Sequence, residues 1–237
     1  MNKKKKILIA AVCLLLAAAI GFGIYYFAVK LPEQKKIEEI QQLMAEHYKN
    51  RVALFTEENK NYSPGEVDVV FLGDSLTEGY DLDTFYPRYV AVNRGIGGDT
   101  TFGVWDRLEV SVFALQPKAV IMLIGANNFD TMFERYEDIV KSLRENLPDS
   151  HIVLISLTSM GKEWGRNNQK AAFNNVKIKL IAERNGCTFV DMYSPLLNEE
   201  TDEIYPEYTS DGGHLTAEGY QVFTDTLTPV LEELLKK

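Results

Sequence analysis

The sequence predicts an α/β fold: a three-layer, flavodoxin-like α/β/α sandwich with a five-stranded parallel sheet, preceded by an N-terminal transmembrane helix. Three observations predict it. Short apolar runs rich in β-branched residues have the character of strands buried on both faces. Segments of helical periodicity separate these runs, and such alternation is typical of parallel sheets with helices on both faces. An uncharged run near the N-terminus is long enough to cross a bilayer.

The N-terminal residues predict a membrane anchor. Lys3 to Lys6 precede an uncharged run from Ile7 to Val29. As a helix rising ~1.5 Å per residue, this run spans ~35 Å, enough for a hydrocarbon core of ~30 Å. The basic cluster should remain cytoplasmic, which places the rest of the chain outside the cell membrane. A cleaved signal peptide is the alternative, because Ala17 and Ala19 form a small-x-small site. We favour the anchor because the apolar run continues beyond them.

Charge and cysteine content narrow the function classes. The net charge is −9, but residues 1–36 hold seven lysines and one glutamate, so the remainder carries −15. A body this acidic argues against a nucleic-acid partner, which requires a basic surface. The two cysteines, Cys13 and Cys187, exclude a disulfide framework and a cysteine-based zinc site.

We expect three parts along the chain: residues 1–30 as basic stub and span, 31–64 as an amphipathic helix that links to or packs on the domain, and 65–237 as the α/β domain. The helix is predicted from apolar residues at helical spacing, such as Ile37, Ile40 and Met44. The predicted strands are Val67–Leu72, Tyr89–Asn93, Ala119–Ile124, Ile152–Leu157 and Thr188–Met192. The predicted domain helices are Thr101–Leu115, Met132–Leu147, Gln169–Asn185 and Thr216–Leu235.

The first predicted strand ends in Gly73-Asp74-Ser75. In open α/β sheets the carboxyl edge of the strands is where ligands and reacting groups collect. A serine hydroxyl at that edge is unreactive until a base removes its proton and polar groups stabilise the resulting charge. A reactive Ser75 therefore requires a base and such polar groups elsewhere in the chain.

His214 is the candidate base. It lies in a loop before the last predicted helix, and Asp211 three residues earlier can reach the imidazole across two glycines, leaving Nε2 for a hydroxyl. The alternative is that Asp211 and Thr216 supply only a turn and a helix cap. The other two histidines, His47 in the first amphipathic helix and His151 at a strand start, are interpreted as surface residues.

Two further strand ends supply candidate groups for the developing charge. The stretch from Asn93 to Thr100 contains three glycines, whose backbone N–H groups can approach an oxyanion closely. A dinucleotide fingerprint is the alternative, and it fails because its third glycine falls on Thr100. Asn127, after the third strand, carries an amide that can donate to the same oxyanion, or it is a turn residue.

Taken together, these stretches resemble the SGNH, or GDSL, hydrolases. Gly73-Asp74-Ser75-Leu76, Gly98, Asn127 and His214 match in order the four motif blocks of that family, and the similarity extends from about residue 68 to 235. The second block, NRGIGGDTTFGVWDRL, looks especially like the catalytic subunits of intracellular platelet-activating-factor acetylhydrolases. The GxSxG pattern of ordinary α/β-hydrolases is not met, because Thr77 replaces its last glycine.

The resemblance implies a role for each matched residue. Ser75 would be the nucleophile, His214 the general base and then acid, and Asp211 the residue that orients it. The oxyanion hole would combine the N–H groups of Ser75 and Gly98 with the Asn127 amide. Family members commonly have Thr where this chain has Ala126. Four further residues are candidates for substrate binding: Asp74, which we also expect to hydrogen-bond locally, Asn128, Trp164 and Arg166.

The sequence thus predicts a serine esterase acting on short-chain acyl esters, acetyl esters in particular, of carbohydrates or lipids. No cofactor and no metal site are expected, since the sequence contains neither a Walker-type loop nor a His/Cys cluster. One alternative is an extracytoplasmic O-acyltransferase that passes the acyl group to a cell-envelope glycan. A second is a non-catalytic surface-binding module that retains the fold.

Overall fold

Five parallel strands form the central sheet of the structure, a computed structural model that describes residues 2–164 and 168–236. They are β1 (Val69–Gly73), β2 (Ala91–Gly95), β3 (Ala119–Leu123), β4 (His151–Ile155) and β5 (Thr188–Val190). Their spatial order is β2-β1-β3-β4-β5, with Val69 in register with Ala91 on one side and Ala119 on the other. The predicted parallel sheet is confirmed, and β1 lies between β2 and β3 with every residue buried.

Helices cover both faces of this sheet. The helices of the chain are α1 (Lys3–Tyr25), α2 (Leu31–Glu58), α3 (Ser75–Glu78), α4 (Leu82–Phe85), α5 (Thr101–Asp106), α6 (Leu108–Ser111), α7 (Tyr136–Asn146), α8 (Asn168–Arg184) and α9 (Ala217–Leu235). Alternate residues of β1 join different cores, as the period of a strand requires. Val70 and Leu72 pack with residues of α5 to α8, whereas Val69 and Phe71 pack with residues of α9. These two cores make the predicted three layers.

Two predicted helices are interrupted, which corrects the sequence interpretation. The segment predicted as one helix from Thr101 to Leu115 is divided into α5, α6 and a 3-10 turn. The first break falls at Arg107, whose backbone leaves helical geometry (φ −117°, ψ 13°) and whose side chain turns into the core. The segment predicted from Met132 begins with a 3-10 turn, and α7 starts only at Tyr136.

A short antiparallel hairpin, β6 (Leu197–Asn198) with β7 (Glu203–Ile204), lies between the predicted strand Thr188–Met192 and the predicted helix Thr216–Leu235, where the sequence predicts no regular element. Each strand has only two residues, which is too short to show an alternating pattern.

The chain divides into two units, one ending at Glu46 and one starting at His47. In the first, α1 and α2 are joined by a π-helical turn, Tyr26–Lys30. Within the described residues, the helical run Lys3–Asn61 contains an 18-residue window with a mean hydropathy of 2.8, and no residue of that window is buried. By length and composition, this part of the chain can cross a membrane. A signal sequence near an N-terminus meets the same criteria.

In the second unit, the last turns of α2 cover the free edge of β2. Phe55 is fully buried, and three guanidinium groups lie 5.0, 4.7 and 5.8 Å from the centre of its ring: those of Arg51, Arg94 and Arg107. Arg51 also donates to the Gly95 carbonyl at 3.0 Å, and Arg94 donates to the Asn93 carbonyl at 3.1 Å. Backbone acceptors of an edge strand are thereby satisfied by side chains.

Candidate active site

The Ser75 hydroxyl lies where β1 turns into α3, at the carboxyl edge of the sheet. The Asp74 side chain caps α3 by accepting a hydrogen bond from the Leu76 N–H at 3.2 Å. Gly73 has no room for a side chain, because a Cβ there would overlap the Thr77 side chain and the Leu123 carbonyl. Asp74 is 2% exposed and therefore lies beneath the edge, while its neighbour Ser75 is presented at it.

His214 and Asp211 meet Ser75 in the arrangement expected from the sequence. The Ser75 Oγ lies 3.0 Å from His214 Nε2, and His214 Nδ1 lies 2.7 Å from Asp211 Oδ2. The other carboxylate oxygen, Oδ1, accepts from the backbone N–H groups of His214 at 2.8 Å and Gly213 at 3.0 Å. A carboxylate held in this way fixes the imidazole ring and favours the tautomer with its proton on Nδ1, leaving Nε2 to receive the serine proton.

The same contacts set the electrostatics of Asp211. Burial opposes ionisation of this carboxyl, but the hydrogen bonds donated by His214 and by the Gly213 N–H outweigh that effect and hold the pKa of Asp211 well below its usual range. The carboxylate is therefore ionised near neutral pH, and it can balance the charge of a protonated imidazole.

Helix α9 holds the loop that carries Asp211 and His214 against α3. The Thr216 side chain caps α9 by accepting from the Gly219 N–H. One turn later the Tyr220 hydroxyl donates to the Leu76 carbonyl at 2.8 Å, and its ring stacks on Tyr80 with centroids 4.7 Å apart. Residues far apart in sequence are thus brought into hydrogen-bonding distance by the packing of one helix.

The candidate oxyanion groups lie on the neighbouring strand ends. Gly98 occupies the third position of a turn from Ile96 to Asp99 and has φ +76°, a conformation that favours glycine. The Asn127 amide donates to the Asp99 carbonyl at 2.9 Å, which sets the plane of the side chain. Asn128, a candidate for substrate binding, donates to the Thr101 hydroxyl at 2.8 Å and so ties this loop to the start of α5.

Arg107 connects these strand ends from below. Its guanidinium pairs with Asp99 Oδ2 at 2.8 Å and donates at 2.9 Å to the carbonyls of Gly73 and Arg94 and to the Ser111 hydroxyl. Only 1% of the Arg107 side chain and 3% of the Asp99 side chain are exposed. Burial raises the pKa of Asp99 and lowers that of Arg107, and each partner opposes the shift of the other. The ion pair thus links the loop of Ser75 to the loop of Gly98.

Trp164 closes one side of the site. Its indole N–H donates to Asp211 Oδ1 at 3.1 Å, and its ring meets the His214 ring edge-on with centroids 5.0 Å apart. Between Trp164 and Ser75 lies a cavity of about 10 Å³, mainly apolar, whose wall includes Ala126 and Met160. Arg166, also predicted to bind substrate, and its neighbour Asn167 lie outside the described residues.

Sequence reasoning missed Arg107 and Glu78. Arg107 belongs to the second motif block, but nothing in its spacing indicates a buried guanidinium. Glu78 ends α3, and its Oε2 accepts from the Gly97 N–H at 2.5 Å and lies 3.1 Å from Nε2 of His47. His47 is partly exposed, as a surface residue should be, yet it contacts a residue of the Ser75 helix. The sequence indication for Glu78 is its position, three residues after the candidate nucleophile.

Comparison with known proteins identifies a family over the region that contains these residues. The GDSL-like lipase/acylhydrolase family matches residues 71–222. A platelet-activating factor acetylhydrolase IB subunit beta homolog from Drosophila melanogaster is 31% identical over 130 residues, which are 51% of this chain and 55% of the fly protein. The chain thus spans about half the length of that curated relative.

Two solved structures share the fold. One from Streptococcus pneumonia, described as a candidate platelet activating factor, has a TM-score of 0.77 at 23% identity and covers 84% of this chain and 99% of its own. An acetylxylan esterase from Geobacillus stearothermophilus, a catalytic mutant, has a TM-score of 0.57 at 20% identity, with 71% and 95% covered.

Proposed function

The chain belongs to the GDSL-like lipase/acylhydrolase family and is an ester-bond hydrolase, and we propose that it removes acetyl groups from alcohols through an acyl-enzyme on Ser75. One observation carries this proposal: the continuous contact from the Ser75 hydroxyl through the His214 ring to Asp211, at 3.0 and 2.7 Å. Hydroxyl, imidazole and carboxylate in this order are the groups that nucleophilic acyl transfer requires.

In the proposed reaction, His214 Nε2 takes the proton of Ser75 while Oγ attacks the ester carbonyl carbon. The carbonyl oxygen becomes an oxyanion, which the N–H groups of Ser75 and Gly98 and the Asn127 amide would stabilise. The intermediate collapses, and the alcohol leaves with the proton from His214. Water then gives a proton to His214 and attacks the acyl-enzyme, and the carboxylic acid is released as Ser75 recovers its proton.

The size of the cavity beside Ser75 supports a small acyl group. A volume of about 10 Å³ is about that needed for one water molecule, which suits a methyl group better than a longer chain. Trp164 limits this cavity and is itself held by Asp211 and packed against Gly213, where a Cβ would overlap the indole. The names of the fly acetylhydrolase and of the acetylxylan esterase agree with acetyl transfer, although each describes only that protein.

Activity on a graded series of p-nitrophenyl esters tests the proposal, with the full-length protein in detergent. We expect kcat/KM to be highest for acetate and to fall by about tenfold or more by butyrate, because a longer chain cannot enter without displacing Trp164. Labelling by a fluorophosphonate should occur on Ser75 and should require His214. Absence of both hydrolysis and labelling in folded protein would overturn the proposal, and efficient hydrolysis of octanoate would overturn the acetyl preference.

We further propose that residues 7–29 remain as a single span, with the hydrolase domain on the extracytoplasmic side. The basic cluster Lys3 to Lys6 on the N-terminal flank of the apolar helix supports this orientation. Fractionation of expressing cells should place the full-length protein in the membrane, and protease added to intact spheroplasts should degrade the domain. Recovery of a shorter, soluble protein beginning after residue 19 would instead identify a cleaved signal peptide.

A further inference from the structure

A polar cluster outside the Ser-His-Asp arrangement borders the candidate site. Glu78 Oε2 accepts from the Gly97 N–H and lies 3.1 Å from His47 Nε2, while Glu78 Oε1 lies 3.2 Å from Arg51 Nε. Arg51 also donates to the Gly95 carbonyl, so the carboxylate is held by fixed groups. The side chains of His47 and Glu78 are 44% and 26% exposed, so both can reach a ligand from solvent.

This cluster and the nucleophile lie on two sides of one small loop. A Cβ built on Gly97 would lie 3.8 Å from His47 Nε2 and 4.0 Å from the Ser75 Cβ. The next residue, Gly98, carries one of the proposed oxyanion donors. His47 and Glu78 therefore line the rim of the site on the side of β2.

The order of the strands indicates on which side of Ser75 the acyl part and the alcohol part of a bound ester would lie. β2 lies on one side of β1, and β3 and β4 lie on the other. The small cavity is lined from the β3 and β4 side by residues such as Ala126 and Met160. If that cavity takes the acetyl group, the alcohol part extends across Ser75 toward β2. It then meets the polar rim formed by His47 and Glu78.

Resting on the proposed function, we propose that His47 and Glu78 form the subsite for the alcohol part of the ester and that this alcohol is a sugar. A carboxylate oxygen can accept more than one hydrogen bond, and the His47 ring, whose Nε2 faces Glu78, presents Nδ1 as a further polar atom, so together they suit the vicinal hydroxyl groups of a carbohydrate. His47 comes from α2, outside the family-matched residues 71–222. The subsite is thus a feature of this chain's N-terminal helix added to the family's hydrolase.

Two acetyl esters with different alcohols test the subsite: an O-acetylated methyl glycoside and p-nitrophenyl acetate. For His47→Ala we expect the ratio of kcat/KM, sugar ester over p-nitrophenyl ester, to fall about tenfold, mainly through KM, which is the effect of about one hydrogen bond. His47→Gln retains a donor and an acceptor and should recover most of the ratio. His151→Ala removes an exposed histidine at the amino end of β4, opposite the carboxyl ends of the strands where Ser75 lies, and should leave the ratio at the wild-type value.

The outcomes separate this proposal from the function on which it rests. An equal loss on both esters in His47→Ala would mean that His47 only supports the Gly97 loop, and an unchanged ratio would mean no role, so either result overturns the subsite. A wild-type protein inactive on both esters would overturn the proposed function itself. Glu78→Ala is not used as the test because it also removes the partner of the Gly97 N–H.

Discussion

Two charge contacts of nearly equal length lie in opposite surroundings on the two sides of the candidate site. On the nucleophile side, which comprises the Gly73–Ser75 turn, residues 95–99 and Arg107, the Arg107–Asp99 pair is 2.8 Å long and at least 97% buried. On the base side, which comprises residues 209–216 and Trp164, the His214–Asp211 contact is 2.7 Å long with 41% and 47% of the side chains exposed. Distance alone therefore does not distinguish them.

The difference follows from what each contact must do. Arg107 and Asp99 hold loops in place and never need to change charge, so burial costs them nothing during turnover, although it requires both partners to be present. In the proposed reaction, His214 has to gain and lose a proton in every cycle. A partly solvated ring with one charged partner can do so without leaving a buried charge unpaired. Rigid positioning and proton transfer are thus assigned to separate sides.

The largest expected effect comes from cutting the contact between the two sides. Ser75→Ala removes the hydroxyl that His214 Nε2 meets, and kcat on p-nitrophenyl acetate should fall by about 10⁴-fold or more. Each side keeps its own hydrogen bonds, so the midpoint of thermal unfolding should stay within about 2 °C of wild type. Activity within tenfold of wild type would remove Ser75 from the chemistry.

A break on the nucleophile side should affect stability and turnover together. Arg107→Met leaves the Asp99 carboxylate buried without its partner, which should lower the free energy of unfolding by about 3–5 kcal/mol in urea titrations. The Gly73 carbonyl also loses one of its donors and keeps the Ile96 N–H, so kcat should fall in the protein that remains folded. Arg88→Met, which cuts an exposed pair with Glu232, is the matched control and should cost less than about 1 kcal/mol. Similar losses in both variants would contradict the proposed difference between the sides.

A break on the base side should affect turnover alone. In Asp211→Asn the amide would donate to His214 Nδ1 and hold the ring in the wrong tautomer, so kcat should fall about 10²- to 10⁴-fold. Because this contact is half exposed, the free energy of unfolding should change by less than about 1 kcal/mol. Asp81→Asn alters an exposed carboxylate that caps α4 and should leave kcat unchanged. A large loss of stability in Asp211→Asn would show that the base side is structural as well.

The sequence predicts the residues of this site whose role follows from their chemical groups. It misses the residues whose role depends on where the fold places them. The glycine, serine, asparagine and histidine positions follow from motif order, and the parallel sheet follows from apolar runs and helical spacing. Arg107 cannot be predicted as the connecting residue, because its role depends on which carbonyls the finished fold brings beneath one guanidinium. His47 is missed for a related reason: its exposure is that of a surface residue, and only the tertiary contact with Glu78 places it near Ser75.

Trp164, on the base side of the site, should control the length of the acyl chain accepted more than the rate. Trp164→Ala enlarges the cavity beside Ser75, so the ratio of kcat/KM for butyrate over acetate should rise about tenfold. The acetate rate itself should fall modestly, because Asp211 loses one donor. Trp105→Ala, a change of the chain's other tryptophan in α5, should leave the ratio unchanged. An unchanged ratio in Trp164→Ala would place the acyl group elsewhere.

The smallest effect is a pH dependence of stability on the base side. Because the pKa of Asp211 is held below its usual value of about 3.9, its hydrogen bonds stabilise the native state at higher pH and lose that effect as acid protonates the carboxylate. The wild-type advantage in thermal midpoint over Asp211→Asn, about 2 °C at most, should therefore shrink between pH 5 and pH 2. An advantage that grows in acid would reverse the sign assigned here.

Phe55 and the arginines around it limit how far the chain can be shortened for expression. Arg51 and Phe55 belong to α2, before the family-matched residues, yet they satisfy and cover the open margin of β2. A recombinant protein that begins after α2 would expose that margin, together with the guanidinium groups of Arg94 and Arg107, which lose their contact with the Phe55 ring. Unpaired strand margins recruit other strands, so such a fragment should be prone to self-association and low solubility. Expression of a well-behaved soluble enzyme therefore has to begin upstream of His47.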